Sequence, residues 1–186
     1  HKGDNVYHTV LLPQHVNKKF SSVSEFMNLV EAFEKRKDSQ LLKDIVLALP
    51  DDKELSLQDR INITHLLIEK RGWVKEGLGV QVDIHRPHDG EKNWHAHLLV
   101  TTRRFIENGL AFGAKATDLN PEFKKAGNKA FVIPEAQQIH EDLRDIINDY
   151  FKMLGLDKRV DSISVNPLEH IGPVRMRSVM NRAVVR

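Results

Sequence analysis

The sequence predicts an α+β fold, a two-layer sandwich in which helices cover one face of a central antiparallel sheet and leave the other face open. Three observations carry this prediction. VQVDIH at 80–85 and WHAHLLV at 94–100 alternate apolar and polar residues with a period of two, and the turn-rich PHDGEKN lies between them, so they form a hairpin. The helical segments are apolar along one stripe only. No internal repeat, low-complexity tract or composition shift interrupts the 186 residues, so 1–186 reads as one domain ending in a basic tail over 157–186.

Each element follows from local chemistry. Residues 5–12 form a strand stopped by Pro13. SSVSEFMNLVEAFEKRKD supplies serine N-caps and places Phe26, Leu29, Val30 and Phe33 at helical spacing, with EKRKD at 34–38 as its solvated end. LLKDIVLALP at 41–50 is a second strand closed by Pro50. Asp44 interrupts this apolar run, and a carboxylate there costs free energy unless it is paired or points to the open face. Ser56 and Asp59 make a capping box, Leu57, Ile61, Thr64 and Ile68 give the next helix its apolar face, and Gly72 ends it.

In the hairpin, Val80, Val82 and Ile84 share one face, while Gln81, Asp83 and His85 share the other. HAHLLVTTRRF continues the alternation through 105, with His95, His97, Leu99 and Thr101 on one side and Trp94, Ala96, Leu98 and Val100 on the other. A loop containing glycine and lysine spans roughly 107–133. Pro134 then opens a helix striped by Ile139, Leu143, Ile146, Ile147, Tyr150 and Leu154.

Composition excludes several classes of protein. The 40% hydrophobic and 29% charged content is that of a globular chain, and there is no cysteine, so disulfides and thiolate metal sites are ruled out and any metal rests on His, Asp or Glu. No apolar stretch approaches the roughly 20 residues of a membrane span. These features fit a reducing cytoplasm and no membrane insertion. A net charge of +2 does not by itself argue for nucleic acid, although Lys158, Arg159, Arg175, Arg177, Arg182 and Arg186 concentrate positive charge near the end. The chain starts at His1 without an initiator methionine and runs at once into VYHTVLLP, so a fragment is expected.

Three histidines carry the chemistry. Side chains at i and i+2 of a strand project the same way about 7 Å apart, so His95 and His97 reach one ion, and His85 approaches it from the adjacent strand about 4.8 Å away. Three protein ligands with open positions are the pattern of a catalytic metal, because a substrate oxygen can take the vacancy. Asp83 lies on the same face, either as a partner for the second nitrogen of an imidazole or as a solvated carboxylate. Asp44 is either an orienting acid or a surface group at the strand edge, and His88, in the turn, is either a stray ligand or solvated.

These residues, with their neighbours, resemble the MobA/MobL family of conjugative relaxases and its TraA-type members. The blocks HKGDNVYHTVLLP, NLVEAFEKRKDSQL, DIVLALP, IHRPHDGEKNWHAHLLVTTRRF, GLAFGAKATDLN and RVDSISVNPLEHIGP stand in the family's order across nearly the whole chain. The resemblance implies an HUH endonuclease whose metal ligands are His85, His95 and His97. Its divalent ion, manganese or magnesium with zinc as the alternative, grips the scissile phosphate of single-stranded DNA at an origin of transfer. It also implies relaxosome accessory proteins, a coupling protein and a type IV secretion system as partners. A tyrosine of the family attacks the phosphate to give a 5′-phosphotyrosine and a free 3′-hydroxyl.

That tyrosine belongs to a block preceding the segment that corresponds to HKGDNVYHTVLLP, and neither Tyr7 nor Tyr150 inherits the role. The sequence departs from the family pattern at Trp94, where relatives commonly have proline, and at Val46, where an acid is common. With Val46 in place of that acid, Asp44 carries any orienting role alone. Trp94 either stacks on a base or, as strict alternation favours, points to the core. Arg103, Arg104, Lys115, Arg175 and Arg177 are the expected DNA contacts, and GLAFGAKATDLN is the expected clamp on the strand. Two other functions stay open: a DNA-binding module that keeps the metal without a nucleophile, and a metal-dependent hydrolase using activated water.

Overall fold

Period-two alternation in VQVDIH and HAHLLVT produces the two central strands of an antiparallel sheet. In the computed structural model, which describes residues 4–119 and 129–161, β1 is Asn5–Leu11, β2 Leu42–Ala48, β3 Val80–His85 and β4 His95–Thr101. Their order is β1-β3-β4-β2, with every pairing antiparallel. The register sets His85 opposite His95 and Asp83 opposite His97 between β3 and β4, and Val46 of β2 opposite His97 on the far side.

One face of this sheet is the core. Val80, Val82, Ile84, Ala96, Leu98 and Val100 are fully buried against Ile63, Leu67 and Ile68 of α2 (Leu57–Arg71) and Leu143, Ile147 and Phe151 of α3 (Lys129–Met153). At about 1.5–3 kcal/mol per buried aliphatic side chain, this layer fixes the strand register, since a slip of one residue would turn the histidines inward. A second cluster joins Val10, Phe20, Phe105 and Phe112 to Phe26 and Val30 of α1 (Val23–Phe33). The predicted α+β two-layer arrangement is therefore present, with α2 and α3 behind the hairpin and the three histidines, each partly exposed, in front.

The capping box of α2 forms as expected, Ser56 Oγ accepting from the Asp59 N–H and the Asp59 carboxylate accepting from the Ser56 N–H, and Gly72 caps the helix C-terminus at φ +70°. Its buried stripe is Arg60, Ile63, Thr64, Leu67 and Ile68, whereas the expected Leu57 and Ile61 lie half-buried at its margin. Arg60 is tolerated inside because its guanidinium donates to the carbonyls of Pro50 and Asp52 at 3.0 Å and lies 4.2 Å from the Trp94 ring centroid. Trp94 thus packs on the helix side, in line with alternation.

Three expectations are corrected. The strand predicted through 105 breaks after Thr101, whose hydroxyl accepts from the Gly79 N–H and donates to the Arg103 carbonyl, a local bond that competes with the ladder. Arg103–Phe105 is a separate β5, paired with β6 (Phe112–Lys115) in a two-stranded sheet, so the loop expected from 107 contains a strand and GLAFGAK lies in a hairpin. Phe105 and Phe112 face each other there with ring centroids 4.4 Å apart, a cross-strand contact invisible to local patterning. Helix α3 starts at Lys129, not Pro134, so the proline stands inside the helix near its N-terminus instead of opening it. Ile139, Leu143, Ile147 and Tyr150 are buried as expected, Phe151 joins them, Ile146 is half-buried, and Leu154 lies exposed just past the helix.

Candidate metal centre

The β3–β4 register gathers three imidazoles on the uncovered face. Ring centroids lie 5.1 Å apart for His85 and His95, 5.5 Å for His85 and His97, and 5.4 Å for His95 and His97. A cation about 2.1 Å from one nitrogen of each of three imidazoles would hold the centroids roughly 4.5–5.2 Å apart at octahedral to tetrahedral angles, so the backbone sets the rings within about half an ångström of such a site.

Two of the three rings have a defined tautomer. His95 Nδ1 lies 2.7 Å from the Asn93 carbonyl, and His97 Nδ1 lies 3.3 Å from Asp44 Oδ1. A carbonyl and a carboxylate only accept, so both Nδ1 atoms donate and both Nε2 atoms are left without a hydrogen-bond partner among the described residues. Asp44 is thereby in contact with a candidate ligand, through the β2–β4 register that sets it beside Leu99, two residues from His97 on the same face.

The third ring is the adjustable one. His85 stacks on His95 with an interplanar angle of 10°, and parallel rings direct their in-plane lone pairs side by side. In the rotamers present, no three His, Asp or Glu side chains among the described residues close on a single ion position. His85 makes no hydrogen bond among the described residues, so no such bond holds its ring in this orientation. Burial and the neighbouring His95 and His97 lower the His85 pKa below the ordinary 6.5, against the pull of Asp83 and Asp4, which keeps it neutral and able to ligate at pH 7. The donor set of three imidazoles with a carboxylate behind one of them fits a divalent cation.

Asp83 shares this face, but its oxygens accept from Asn5 Nδ2 at 2.8 Å and Gln81 Nε2 at 2.7 Å, so it is anchored by amides rather than by an imidazole. It acts on His85 through its charge. Gln81 is buried, and its Oε1 lacks a partner among the described residues. His88 Nε2 faces Asp4 Oδ2 at 3.3 Å. Asn5, Gln81 and the Asn93 carbonyl had no signal in the sequence, because an amide or backbone oxygen has no pattern until the register is known.

Neither tyrosine stands at the histidines. Tyr150 donates to Asp59 Oδ1 and accepts from Asn62, both at 3.0 Å, where α2 meets α3. Tyr7 bonds His65 of α2 at 3.1 Å, and burial lowers the pKa of that histidine.

Of the expected DNA-binding cations, Arg103, Arg104 and Lys115 form ion pairs within the protein. Glu34, with only 5% of its side chain exposed, receives Arg103 Nε at 2.6 Å and Lys115 Nζ at 2.9 Å. EKRKD is therefore more than a solvated helix end. Burial pushes the Glu34 carboxyl up, but hydrogen bonds and charge from Arg103 and Lys115 outweigh it and hold the group below the usual carboxylate range. Arg104 grips Asp118 through two bonds of 2.8 and 2.7 Å, which hold that carboxyl down to about 2. Lys158 of the tail pairs with Asp52 and Glu54, while Arg175 and Arg177 lie outside the described residues.

Comparison with known proteins identifies the family. The chain is 30% identical to conjugal transfer protein TraA of Agrobacterium fabrum over 164 residues, 79% of this chain and 14% of that protein. It is 29% identical to the probable conjugal transfer protein TraA of Sinorhizobium fredii over 186 residues, 84% of this chain and 15% of that one. The chain thus spans about one seventh of the length of these relatives. A solved chain from work on the molecular basis of vancomycin resistance transfer in Staphylococcus aureus superposes with a TM-score of 0.68 at 26% identity, covering 88% of this chain and 78% of that one. A histidine hairpin on an open antiparallel sheet, relatives concerned with conjugal transfer, and a match to the family profile over residues 1–176 lead to one conclusion: the chain belongs to the MobA/MobL family.

Proposed function

We propose that residues 1–186 act as one DNA-nicking domain of a conjugative relaxase, using His85, His95 and His97 to hold a divalent ion beside single-stranded DNA at an origin of transfer. The observation that carries this is the three-ring cluster on the uncovered face, with the Nε2 atoms of His95 and His97 left free by their Nδ1 bonds. Bound there, the ion would supply Lewis-acid neutralisation of charge on the non-bridging phosphate oxygens. Manganese or magnesium is favoured by availability and zinc by three imidazole ligands.

Asp44 keeps the His97 ring in its ligating tautomer, and Asp83, anchored by Asn5 and Gln81, sets the charge beside His85. The attacking tyrosine comes from outside this sequence, since Tyr7 and Tyr150 are both committed to α2. Phosphate contacts draw on the tail arginines, Arg175 and Arg177, more than on Arg103, Arg104 and Lys115, whose charges are already paired. The setting is the cytoplasm, with accessory relaxosome proteins, a coupling protein and a type IV secretion system as partners of the whole protein. For this sequence alone, the distance of both tyrosines from the histidines favours a second reading, a metal-bearing DNA-binding module without its nucleophile.

The test is to titrate the chain into a labelled single strand from an origin of transfer, with and without Mn2+. The proposal expects Mn2+ to tighten binding about tenfold or more, His97→Ala to abolish that gain, and no denaturant-resistant adduct to form. Binding indifferent to Mn2+ and to His97→Ala would overturn the metal-centred reading, and an adduct through Tyr7 or Tyr150 would overturn the external nucleophile.

A further inference from the structure

Beside the histidines, on the side of the turn, the β3–β4 connection encloses a cleft of about 200 Å3 walled by Asp4, His85, Arg86, His88, Glu91, Asn93 and His95. His97 and Asp44 do not line it, so it opens off one end of the metal cluster. Its walls are set by backbone bonds, Arg86 N–H to the Asp4 carbonyl at 2.9 Å and Glu91 N–H to the His88 carbonyl at 3.0 Å. Asp4 is also tied to His88. The Arg86 guanidinium and the Glu91 carboxylate have no hydrogen-bond or ion-pair partner among the described residues.

We propose that this cleft is a nucleobase pocket that selects cytosine or guanine next to the phosphate held at the histidines; the proposal rests on the single-stranded DNA reading above. Size is the first reason. At about 200 Å3 the cleft is smaller than the roughly 300–1,000 Å3 of pockets for drug-sized ligands, which suits one flat ring system rather than a whole nucleotide. Charge is the second. The carboxylates of Asp4 and Glu91 repel a second phosphate but accept well from an exocyclic amine, while Arg86 donates to a ring carbonyl. Cytosine and guanine carry both groups; thymine lacks the amine and adenine lacks the carbonyl. Position is the third. Two of the three candidate metal ligands form part of the wall, so a base in the cleft belongs to a nucleotide adjoining the phosphate at the ion.

The test uses the chain with Mn2+ and labelled all-thymine strands of about twelve nucleotides, a length typical of one single-strand site, each carrying a single central guest base. A dC or dG guest is expected to bind about tenfold tighter than all-thymine, a dA guest no tighter, and Glu91→Ala is expected to bind all strands alike. Equal affinity for the dC, dG and all-thymine strands, or a preference that survives Glu91→Ala, overturns the pocket. Binding of the all-thymine strand that is unchanged by Mn2+ and by His97→Ala contradicts the metal-centred reading instead, so the two failures are told apart. Glu91 is an exposed turn residue, and an unchanged circular dichroism spectrum of the variant confirms that the loss is local.

Discussion

Two clusters of polar residues occupy neighbouring parts of this protein, and they differ in how far their bonding capacity is used. On the β5–β6 hairpin, Arg103 and Lys115 converge on the nearly buried Glu34, and Arg104 forms a two-bond pair with Asp118. On the β3–β4 hairpin, the Nδ1 atoms of His95 and His97 are bonded, but both Nε2 atoms and the whole His85 ring are left without hydrogen bonds among the described residues on an open face. A saturated cluster ties elements together, as Glu34 ties α1 to the small sheet. An unsaturated one, placed where solvent reaches it, is ready for a ligand. Charge alone does not distinguish them, because both read as polar patches in the sequence.

The largest effect expected from breaking this contrast is on the saturated side. Glu34→Ala leaves Arg103 and Lys115 with the Gly113 and Gln40 carbonyls but without the balancing carboxylate and should cost about 2 kcal/mol of stability, measured by urea denaturation, while leaving metal affinity unchanged once the protein is folded. The pH dependence follows from the depressed Glu34 pKa. A lowered folded-state pKa contributes stability that is present above the unfolded value near 4.5 and is lost as pH falls through the folded value, so the stability gap between the native chain and Glu34→Gln should shrink on acidification through that range.

On the unsaturated side, Asp44→Asn should weaken Mn2+ binding about tenfold by loosening the His97 tautomer, with stability moved by less than about 0.5 kcal/mol. Calorimetric titration of the ion and thermal unfolding separate the two effects. Val46→Glu should move Mn2+ affinity the other way, by a few-fold, because the exposed Val46 lies directly opposite His97 and a carboxylate there adds negative charge to the site. The smallest change is expected at Arg104→Ala. Its partner Asp118 is solvent-exposed, so denaturation should detect little loss of stability, and none at high salt.

The hairpin was legible because period two is a local signal: a glance at VQVDIH and HAHLLV sorts core from open face without knowledge of partners. The capping box and Gly72 were legible for the same reason, each being a few residues of self-contained chemistry. Partnerships across the chain were not. Arg103 meets Glu34 from 69 positions away, and Arg60 enters the core only because carbonyls of the loop after β2 and the Trp94 ring receive it. The break at Thr102 and the strand at Phe112–Lys115 depend on a threonine back-bond and on one facing phenylalanine pair, both too short to show a period. Within the site, the three imidazoles were evident from spacing, and the face of Asp44 was not, since its choice between the two sides of β2 is made by the pairing with β4.

The central claim is that the three imidazoles bind one divalent ion cooperatively. Its most direct test is calorimetric titration of the chain with Mn2+ at pH 7, alongside His85→Ala, His95→Ala and His97→Ala. One site per chain, weakened about a hundredfold or more by each of the three changes, is the predicted result. Binding that survives any one of them unaltered, or no binding to the unaltered chain, would contradict it.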